Sequence, residues 1–485
     1  MELTRPFVDP TPERVRAFID SIPLYAADGD DPTFWSDDQL AARRNELLQR
    51  QMGWLAEASA FYRKRFTDLG VDPASIKTTD DLASLPVTTK QDLMQDPQAL
   101  RLRFEQPGLY DLTYATVYTT GTTMGLPTPY EYTTHDFFGV LLAGRRQGKM
   151  TYGVPGDLFF SAFPLSPLPH VSGFASQISN AYGTAFLHGF GGTPYPEFPV
   201  HNHTDMVLDL MERTRPQVIG GIGSFLRRLF ADAARDGRDL SSLVIINASG
   251  EVLTKKMRDH MHANLEACGA GDVFITGSYG FTEGGLPWAP CHEGGPLHAA
   301  APDQVFLEVV DPDTHERVPD GESGLIALTH LNRRGMPLVR YLLGDLGALS
   351  HEQCERCGRR GESLLISAGS AHITRTKELL KIKGTLVNPQ IVHDVVMNTD
   401  GVLEYQMIVA NSVEGDPLSS DRLLLRIGLA AEFHRNSWDP EPLRQAVHGA
   451  TEVTPEIEIV DDVSEIYDPA RDFKATRIVD TRVVE

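Results

Sequence analysis

The 485-residue chain is poor in cysteine, has no excess of basic residues and contains no long apolar run. Its four cysteines are too few for a disulfide scaffold of this size, and they favour a reduced, cytoplasmic protein. The formal net charge of −22 argues against general binding to nucleic acid or to anionic membranes. Because the chain has neither about 18 consecutive apolar residues nor a basic-then-apolar start, we expect no membrane span and no secretory leader.

Several familiar catalytic motifs are missing as well. There is no G-x-x-x-x-G-K-[ST] segment, which excludes a Walker-type P-loop NTPase. Neither H-E-x-x-H nor G-x-S-x-G occurs, which removes the common zinc peptidase and hydrolase classes, and kinase signatures are absent. The glycine-rich segment "GGIGSF" lacks the spacing of a dinucleotide fingerprint. If the chain binds phosphate, other machinery must hold it.

The rest of the sequence indicates an α/β protein. Because a chain of 485 residues is too long to pack around one hydrophobic core, we expect more than one domain. We expect a loosely docked, Pro- and Asp-rich extension over residues 1–37, a large domain over 38–375 and a small α+β domain over 376–485. Residues 38–70 have helical apolar spacing, which predicts one helix that stops at Gly70. Further on, short apolar runs alternate with helical stretches, which predicts parallel strands with ligands beyond their carboxyl ends.

A Thr- and Gly-rich stretch, "VYTTGTTMGLPTPY", is a poor helix former and too rich in glycine for a buried strand. Backbone N–H groups and threonine hydroxyls can surround phosphate oxygens, so one interpretation is an anion-binding loop. The other is an ordinary polar loop, and on this stretch alone the two stay open. Two later Gly/Ser-rich segments, "NASGE" and "TGSYGFTE", would lie where a parallel sheet collects its ligand.

Six elements follow one another in a definite order. They are Thr119–Thr123, Gly250–Glu251, Tyr279–Glu283, "PLVRYLLGDLGAL" with Arg340, Tyr341, Gly344 and Asp345, "RTKELLKIKG" with Arg375 and Lys377, and "DFKATRIVD" with Lys474. This set resembles the signature motifs of the adenylate-forming (ANL) superfamily, and most closely those of the phenylacetate–CoA ligase family. The resemblance implies a large adenylate-forming domain with parallel-sheet subdomains and a small, mobile C-terminal α+β domain.

The resemblance implies how ATP and Mg²⁺ would be bound. The β- and γ-phosphates would be held by the loop residues Thr119, Thr120, Gly121, Thr122 and Thr123. Adenine would stack on Tyr279, next to Gly250, Glu251 and Gly280. Asp345 would accept the ribose hydroxyls, and Arg375 would also bind the nucleotide. Glu283 would hold Mg²⁺, since a hard cation takes carboxylate and phosphate oxygens together.

It also implies the catalytic and acid-binding residues. Lys474 would place its ammonium between the carboxylate and the α-phosphate, where charge develops, and Thr282 and Glu283 complete the catalytic set. Lys377 would be the hinge of the small domain. The acid pocket would be walled by His170, Gly223, Ser224 and Phe281. For His170 the alternative is a packed histidine that caps a turn, and the two interpretations weigh equally.

A metal site is indicated by Cys354-x₂-Cys357 in a Gly/Arg-rich knuckle. Cys291 and His298 complete a tetrahedral set, and a similar spacing occurs in relatives of the phenylacetate–CoA ligases, some of which carry structural zinc. The alternative is a group of reduced, unligated thiols. If His298 is not the fourth ligand, His292 or His351 would replace it.

As a whole, the resemblance implies ATP-dependent activation of a small, aromatic-type carboxylic acid as acyl-AMP, release of pyrophosphate and transfer to CoA. The phosphate loop departs from the family pattern, because Met124 is inserted before Gly125 and Leu126 replaces a lysine. We therefore keep an alternative: an adenylate-forming enzyme of secondary metabolism with a carrier-protein or amine acceptor, or a nitrite-activating aryl-amine diazotase.

A nucleotide-binding protein without catalysis is disfavoured, since the catalytic-type residues Lys474, Glu283 and Asp345 are all present. The expected partners are small molecules, either an acid or an aryl substrate. A carrier protein or a second copy of the chain, as a homodimer, would be further partners.

Overall fold

The structure, a computed structural model, describes most of the chain. The described residues are 5–21, 31–118, 129–163, 171–191, 202–250, 253–285, 287–365, 374–375, 380–382, 385–413, 419–431, 433–468 and 475–482.

The α-helices of this part are α1 Pro12–Ser21, α2 Asp37–Ala58, α3 Ala60–Leu69, α4 Lys90–Gln95, α5 Pro97–Leu100, α6 Thr134–Met150, α7 Val171–Tyr182, α8 Thr204–Thr214, α9 Gly223–Arg235, α10 Lys255–Ala267, α11 Pro389–Met397 and α12 Glu441–Thr451. Its strands are β1 Thr113–Tyr118, β2 Pro129–Thr133, β3 Leu158–Ser161, β4 Ala185–His188, β5 Val218–Ile222, β6 Ile245–Ser249, β7 Phe274–Ser278, β8 Trp288–Pro290, β9 Leu297–Ala299, β10 Val305–Val310, β11 Gly324–His330, β12 Tyr341–Ser350, β13 Ser363–Leu365, β14 Thr374–Arg375, β15 Leu380–Ile382, β16 Thr385–Val387, β17 Val402–Asn411, β18 Asp421–Leu429, β19 Glu456–Ile459 and β20 Ile478–Asp480.

The predicted parallel strands form a five-stranded sheet in the order β4-β3-β5-β6-β7. Every neighbouring pair in it is parallel, which confirms the prediction made from the short apolar runs. The helices that connect its strands bury apolar faces against it, and the resulting core includes Phe160, Ile219, Leu226 and Ile246, each fully buried. The expected parallel α/β core is therefore present.

A second sheet of seven strands lies next in the chain and is antiparallel throughout. Its order is β10-β11-β12-β13-β9-β8, with β14 paired to β12. Tyr279, the residue after β7, exchanges backbone hydrogen bonds of 2.9 and 2.8 Å with Trp288 of β8. The end of the parallel sheet is thus tied to the start of the antiparallel one.

The last third of the described chain contains a four-stranded sheet in the order β19-β18-β17-β20. The expected strands in "EYQMIVA" and "RLLLRIGLA" pair as the antiparallel hairpin β17–β18. Both outer strands pair in parallel with them. We call this sheet with α11 and α12 the small lobe, and the elements from α2 to β13 the large lobe.

The single helix predicted over residues 38–70 is wrong in one respect, because the structure has two helices. The chain turns extended at Ser59, whose φ is −101° and ψ 122°. The Ser59 hydroxyl accepts a hydrogen bond from the N–H of Tyr62 at 3.3 Å and caps α3. The predicted stop is confirmed, since Gly70 adopts a left-handed conformation with φ 63°.

The expectation of a loosely docked N-terminal extension is wrong for its described part. Helix α1 buries Val15, Phe18 and Ile19, which are at most 4% exposed, in a cluster with Tyr152 and Phe274 of the large lobe. The apolar face of α1 is short, and the buried large-lobe residues in its cluster come from sequence positions more than a hundred residues away. Its docking is therefore decided by tertiary packing.

Candidate functional site

Three predicted site segments meet at the carboxyl edge of the parallel sheet. Ile222, Ser249 and Ser278 are the last residues of β5, β6 and β7, and they are direct neighbours in the strand register. The hydroxyls of Ser249 and Ser278 are 2.7 Å apart. The next residues along each strand are Gly223, Gly250 and Tyr279, so the segments separated in sequence lie side by side.

Tyr279 connects this edge to the antiparallel sheet through a side chain. Its hydroxyl donates a hydrogen bond of 2.7 Å to Oδ2 of Asp345 on β12. Asp345 is 8% exposed, and its register partner on β14 is Arg375. A hydrogen bond to a charged acceptor is stronger than a neutral one, so the Tyr279 hydroxyl fixes the direction in which the Asp345 carboxylate points.

The carboxylate of Glu283 is buried in a turn beside this pair. It is 8% exposed, and the hydroxyl of Tyr341 donates a hydrogen bond of 3.0 Å to its Oε1. Burial raises the pKa of Glu283 above the ordinary carboxyl range, and the Tyr341 hydrogen bond opposes that shift in part. A buried carboxylate of this kind is a suitable oxygen donor for a hard cation.

The backbone of the Glu283 turn is held by side chains that the sequence interpretation missed. Arg333 Nη2 donates to the carbonyl of Gly284 at 2.7 Å, and Nε2 of His330 lies 3.1 Å from the carbonyl of Glu283. Tyr132 donates its hydroxyl proton to the carbonyl of Thr282. Arg333 and His330 are at most 5% exposed, and no local pattern indicates that these polar residues are buried.

His330 is neutral in this arrangement. Its Nδ1 accepts a hydrogen bond of 3.0 Å from the N–H of Leu338, so the proton that donates to the Glu283 carbonyl is on Nε2. Burial, and then the charge of Arg333, lower the pKa of His330 well below its ordinary value. The turn that carries Glu283 is therefore held by a fixed tautomer and a buried guanidinium.

The remaining predicted residues are placed as follows. Gly223 and Ser224 begin α9 and are buried, and Phe281 stacks on Trp288 with ring centroids 5.5 Å apart. Of Arg375 only the backbone is described. Nine predicted residues lie outside the described part of the chain: Thr119, Thr120, Gly121, Thr122, Thr123, His170, Glu251, Lys377 and Lys474. Their assignments stay predictions.

The four predicted metal ligands come together from two distant segments. The ligand atoms of Cys291, His298, Cys354 and Cys357 all lie within 4.8 Å of one another. Cys291 Sγ and Cys354 Sγ are 3.8 Å apart, and Cys357 Sγ is 3.6 Å from His298 Nε2. Tetrahedral zinc with Zn–S bonds of about 2.3 Å requires ligand separations of roughly 3.8 Å.

The surroundings of this cluster also fit zinc. Nδ1 of His298 is 2.9 Å from the Ser363 hydroxyl, which leaves Nε2 directed at the sulfurs. Of the two alternative ligands, His351 is hydrogen-bonded to Asp320 at 2.7 Å instead. The other, His292, lies beside the cluster with its Nδ1 3.3 Å from Cys291 Sγ. Among the described residues, the group whose ligand atoms all lie close together is the predicted set of Cys291, His298, Cys354 and Cys357.

The buried positive charge of Arg359, close to the Cys/His cluster, also favours zinc. It is 1% exposed, and its three guanidinium nitrogens have no hydrogen-bond partner among the described residues. Its positive charge interacts with Cys357, and its guanidinium lies 5.0 Å from the ring centroid of Phe34. Three thiolates and one Zn²⁺ leave one net negative charge, which this buried guanidinium would balance.

No helix in the described ranges is both long enough and apolar enough to cross a bilayer.

Comparison with known proteins adds the following. The family model described as "AMP-binding enzyme" matches residues 70–331, more than half of the chain. A phenylacetate–coenzyme A ligase of Thermus thermophilus is 28% identical over 415 residues, which cover 82% of this chain and 83% of that protein. A phenylacetate–coenzyme A ligase of Escherichia coli K12 is 24% identical over 453 residues, which cover 92% and 96%.

Among solved structures, 2-hydroxyisobutyryl-CoA ligase in complex with 2-HIB-AMP is similar with a TM-score of 0.76. The two chains are 20% identical, and the superposition covers 94% of each. At this identity the likeness concerns the fold, and it extends over both lobes.

Proposed function

Because the chain belongs to the AMP-binding enzyme family, we propose that it activates a small, aromatic carboxylic acid with ATP and passes the acyl group to CoA. The assignment to the adenylate-forming superfamily and to the AMP-forming ligases, predicted from the motifs, is confirmed by this membership and by the ligase relatives. The acid, the acceptor and the role of each residue are the proposal.

The observation that carries the proposal is the meeting of the separate segments at one edge. The ends of β5, β6 and β7 are adjacent, Tyr279 joins them to Asp345, and Glu283 lies in the turn that follows. Activation of an acid by ATP needs an acceptor for the ribose hydroxyls, a ligand for the cation and a pocket for the acid, all close enough to contact the bound substrates at the same time. Asp345, Glu283 and the start of α9 at Gly223 would supply them.

The proposed reaction has two steps. A carboxylate oxygen of the acid attacks the α-phosphorus of ATP, the bond to the bridging oxygen breaks, and pyrophosphate leaves. The sulfur of CoA then attacks the acyl carbon, the bond to the AMP oxygen breaks, and the thiol proton passes to solvent. Each step places charge on phosphate or carboxyl oxygens, so fixed donors are needed more than strong bases.

The residues would divide this work. Asp345 would accept the ribose hydroxyls, held in place by Tyr279, and Lys474 would stabilise the charge that develops as the acid attacks. Glu283, in its rigid buried turn, would hold Mg²⁺, which when bound neutralises phosphate charge. The Thr119–Thr123 loop would bind the outer phosphates. The Cys/His cluster would hold zinc in a structural role, since protein ligands fill all four positions.

The test is release of AMP and pyrophosphate from ATP across a panel of aryl acids, with and without CoA. We expect AMP to form with at least one aryl acid and a thioester of matching mass to appear only with CoA. Asp345→Asn and Glu283→Gln should each lose at least about tenfold in rate, the effect of one lost charged interaction. Asp320→Asn, an exposed carboxylate outside the site, is the matched control.

Two outcomes would contradict the proposal. If AMP forms only with nitrite and an aryl amine, and no thioester appears, then nitrite and not a carboxylic acid is activated, and an aryl amine and not CoA is the acceptor. Equal loss of activity in Asp345→Asn and Asp320→Asn would remove Asp345 from the nucleotide site.

A further inference from the structure

A buried ion-pair network joins the small lobe to the large lobe. Glu404, on β17 of the small lobe, is fully buried, and Arg227, on α9 of the large lobe, is 5% exposed. Nη2 of Arg227 donates to Oε2 of Glu404 at 2.5 Å, and Nη1 donates to the carbonyl of Leu403. Met257 of α10, 2% exposed, packs in the same small-lobe core. The contact is thus both ionic and apolar.

Arg477 completes the network from the small lobe. Its Nε and Nη2 donate to the two carboxylate oxygens of Glu404 at 2.9 and 3.2 Å. The carbonyl of Arg477 accepts a hydrogen bond of 2.7 Å from the N–H of Met407 on β17. Burial opposes ionisation of Glu404, but the charges of Arg477 and Arg227 outweigh it and lower its pKa to about 2. Glu404 is therefore an anion shared by two lobes.

Both arginines lie close in the chain to residues of the proposed chemistry. In the sequence, Arg477 follows Lys474, the residue with the proposed catalytic ammonium, by three positions. Arg227 lies about one helical turn after Gly223, where β5 ends at the carboxyl edge of the parallel sheet. The network connects Arg477 of the small lobe with the helix that begins at the site.

We propose that Arg227 is a positioning residue: through Glu404 and Arg477 it holds the small lobe against α9, the helix that begins at the carboxyl edge of the parallel sheet, during acyl-AMP formation. This inference rests on the function proposed above. Arg227 contacts the small lobe and not the reacting atoms, so its loss lowers the rate of the first step and leaves the Michaelis constants for ATP and acid unchanged.

A direct readout of lobe docking comes from a second contact at the same interface. Nζ of Lys256 on α10 lies 2.6 Å from Oδ1 of Asp400, which precedes β17. A zero-length carbodiimide reagent joins an amine to a carboxylate in such contact, and mass spectrometry measures the linked peptides. The pair Lys255–Asp259, 2.7 Å apart within α10, is an internal reference that does not depend on docking.

In the full-length protein, Arg227→Gln should lower the Lys256–Asp400 cross-link relative to the internal reference. It should also lower the turnover rate of acyl-AMP formation by about tenfold or more, the fold-change that one charged hydrogen bond represents. Arg227→Lys, which keeps the charge, should restore part of both. Thioester formation from supplied acyl-AMP should change less than about twofold, as a defect confined to the first step requires.

Arg235→Gln is the matched control, because its guanidinium, on the same helix, pairs with Asp232 inside α9 at 2.6 Å. It should leave the cross-link and the rate unchanged. If Arg227→Gln unfolds the protein, Glu404→Gln tests the same link from the small lobe, and it should show the same two losses.

Three results would overturn the inference: an unchanged cross-link in Arg227→Gln, a lost cross-link with an unchanged rate, or equal loss in both half-reactions. If the unaltered protein forms no acyl-AMP with any acid, the proposed function fails and so does the role in that step. In that case a cross-link that still depends on Arg227 would show that Arg227 docks the small lobe although the proposed reaction does not occur. The failure of the proposed function can therefore be told apart from the failure of the docking role.

Discussion

Removing one hydroxyl tests how the nucleotide site is organised. Tyr279→Phe keeps the aromatic ring that would stack on adenine but removes the hydrogen bond of 2.7 Å to Oδ2 of Asp345. The Asp345 carboxylate then loses one hydrogen-bond donor that orients it. We expect weaker ATP binding without loss of the fold.

The size of the effect follows from the kind of hydrogen bond removed. A hydrogen bond to a charged group contributes about 1.5–3 kcal/mol. About 1.4 kcal/mol corresponds to a factor of ten in an equilibrium constant, and the bond is already present before ATP binds. The dissociation constant of ATP should therefore rise by several-fold and by at most about 100-fold. Asp345 is 8% exposed, so we expect water to replace the hydroxyl incompletely.

Titration calorimetry with Mg·ATP measures this constant without knowledge of the acid. Tyr182→Phe is a matched control, because it removes a hydroxyl that donates at 2.7 Å to the carbonyl of Gly153, before the amino end of β3. It should leave ATP binding unchanged. If Tyr279→Phe binds ATP within about twofold of the unaltered protein, the Tyr279 hydroxyl does not organise Asp345, and the reasoning is refuted.

The remaining predictions concern the metal cluster and the lobe interface. Freshly purified protein should contain one zinc per chain, and Arg359→Met should speed zinc release to a chelator. Arg360→Met, at a half-buried neighbour that pairs with Asp37, should not. Equal release rates in the two variants would contradict charge balancing by Arg359. Glu404, with its pKa lowered from 4.5 to about 2, should contribute roughly 3 kcal/mol to small-lobe stability above pH 4.5, a contribution that disappears as pH falls through about 2. Hydrogen exchange of the β17 amides in Glu404→Gln checks this, and a difference from the unaltered protein that does not shrink with falling pH would disprove it.

The secondary structure was predictable where the pattern is local. The five parallel strands are short apolar runs that end at, or just before, a Gly or Ser. Gly70 stops a helix because it adopts a left-handed conformation without strain. The break at Ser59 was not predictable, because helical apolar spacing continues through it. The Ser59 hydroxyl caps α3 and also donates to the carbonyl of Ala99 at 3.0 Å, a contact that exists only in the folded chain.

The candidate site divides in the same way. The grouping of the four Cys/His residues could be predicted, because Cys354-x₂-Cys357 is a spacing typical of zinc sites and a similar Cys and His spacing occurs in related ligases. His330 and Arg333 could not, since most polar residues are exposed and nothing local shows that these two lie under the Glu283 turn.

The sequence by itself determined which residue types are available and in what order, and that was enough for the superfamily and for most of the proposed site. Only the tertiary structure decided which of them touch. Tyr279 meets Asp345 across 66 residues of chain, and Arg227 meets Glu404 across 177. Such pairs form because distant elements pack particular faces together, and packing also excludes the water that would otherwise screen their charges.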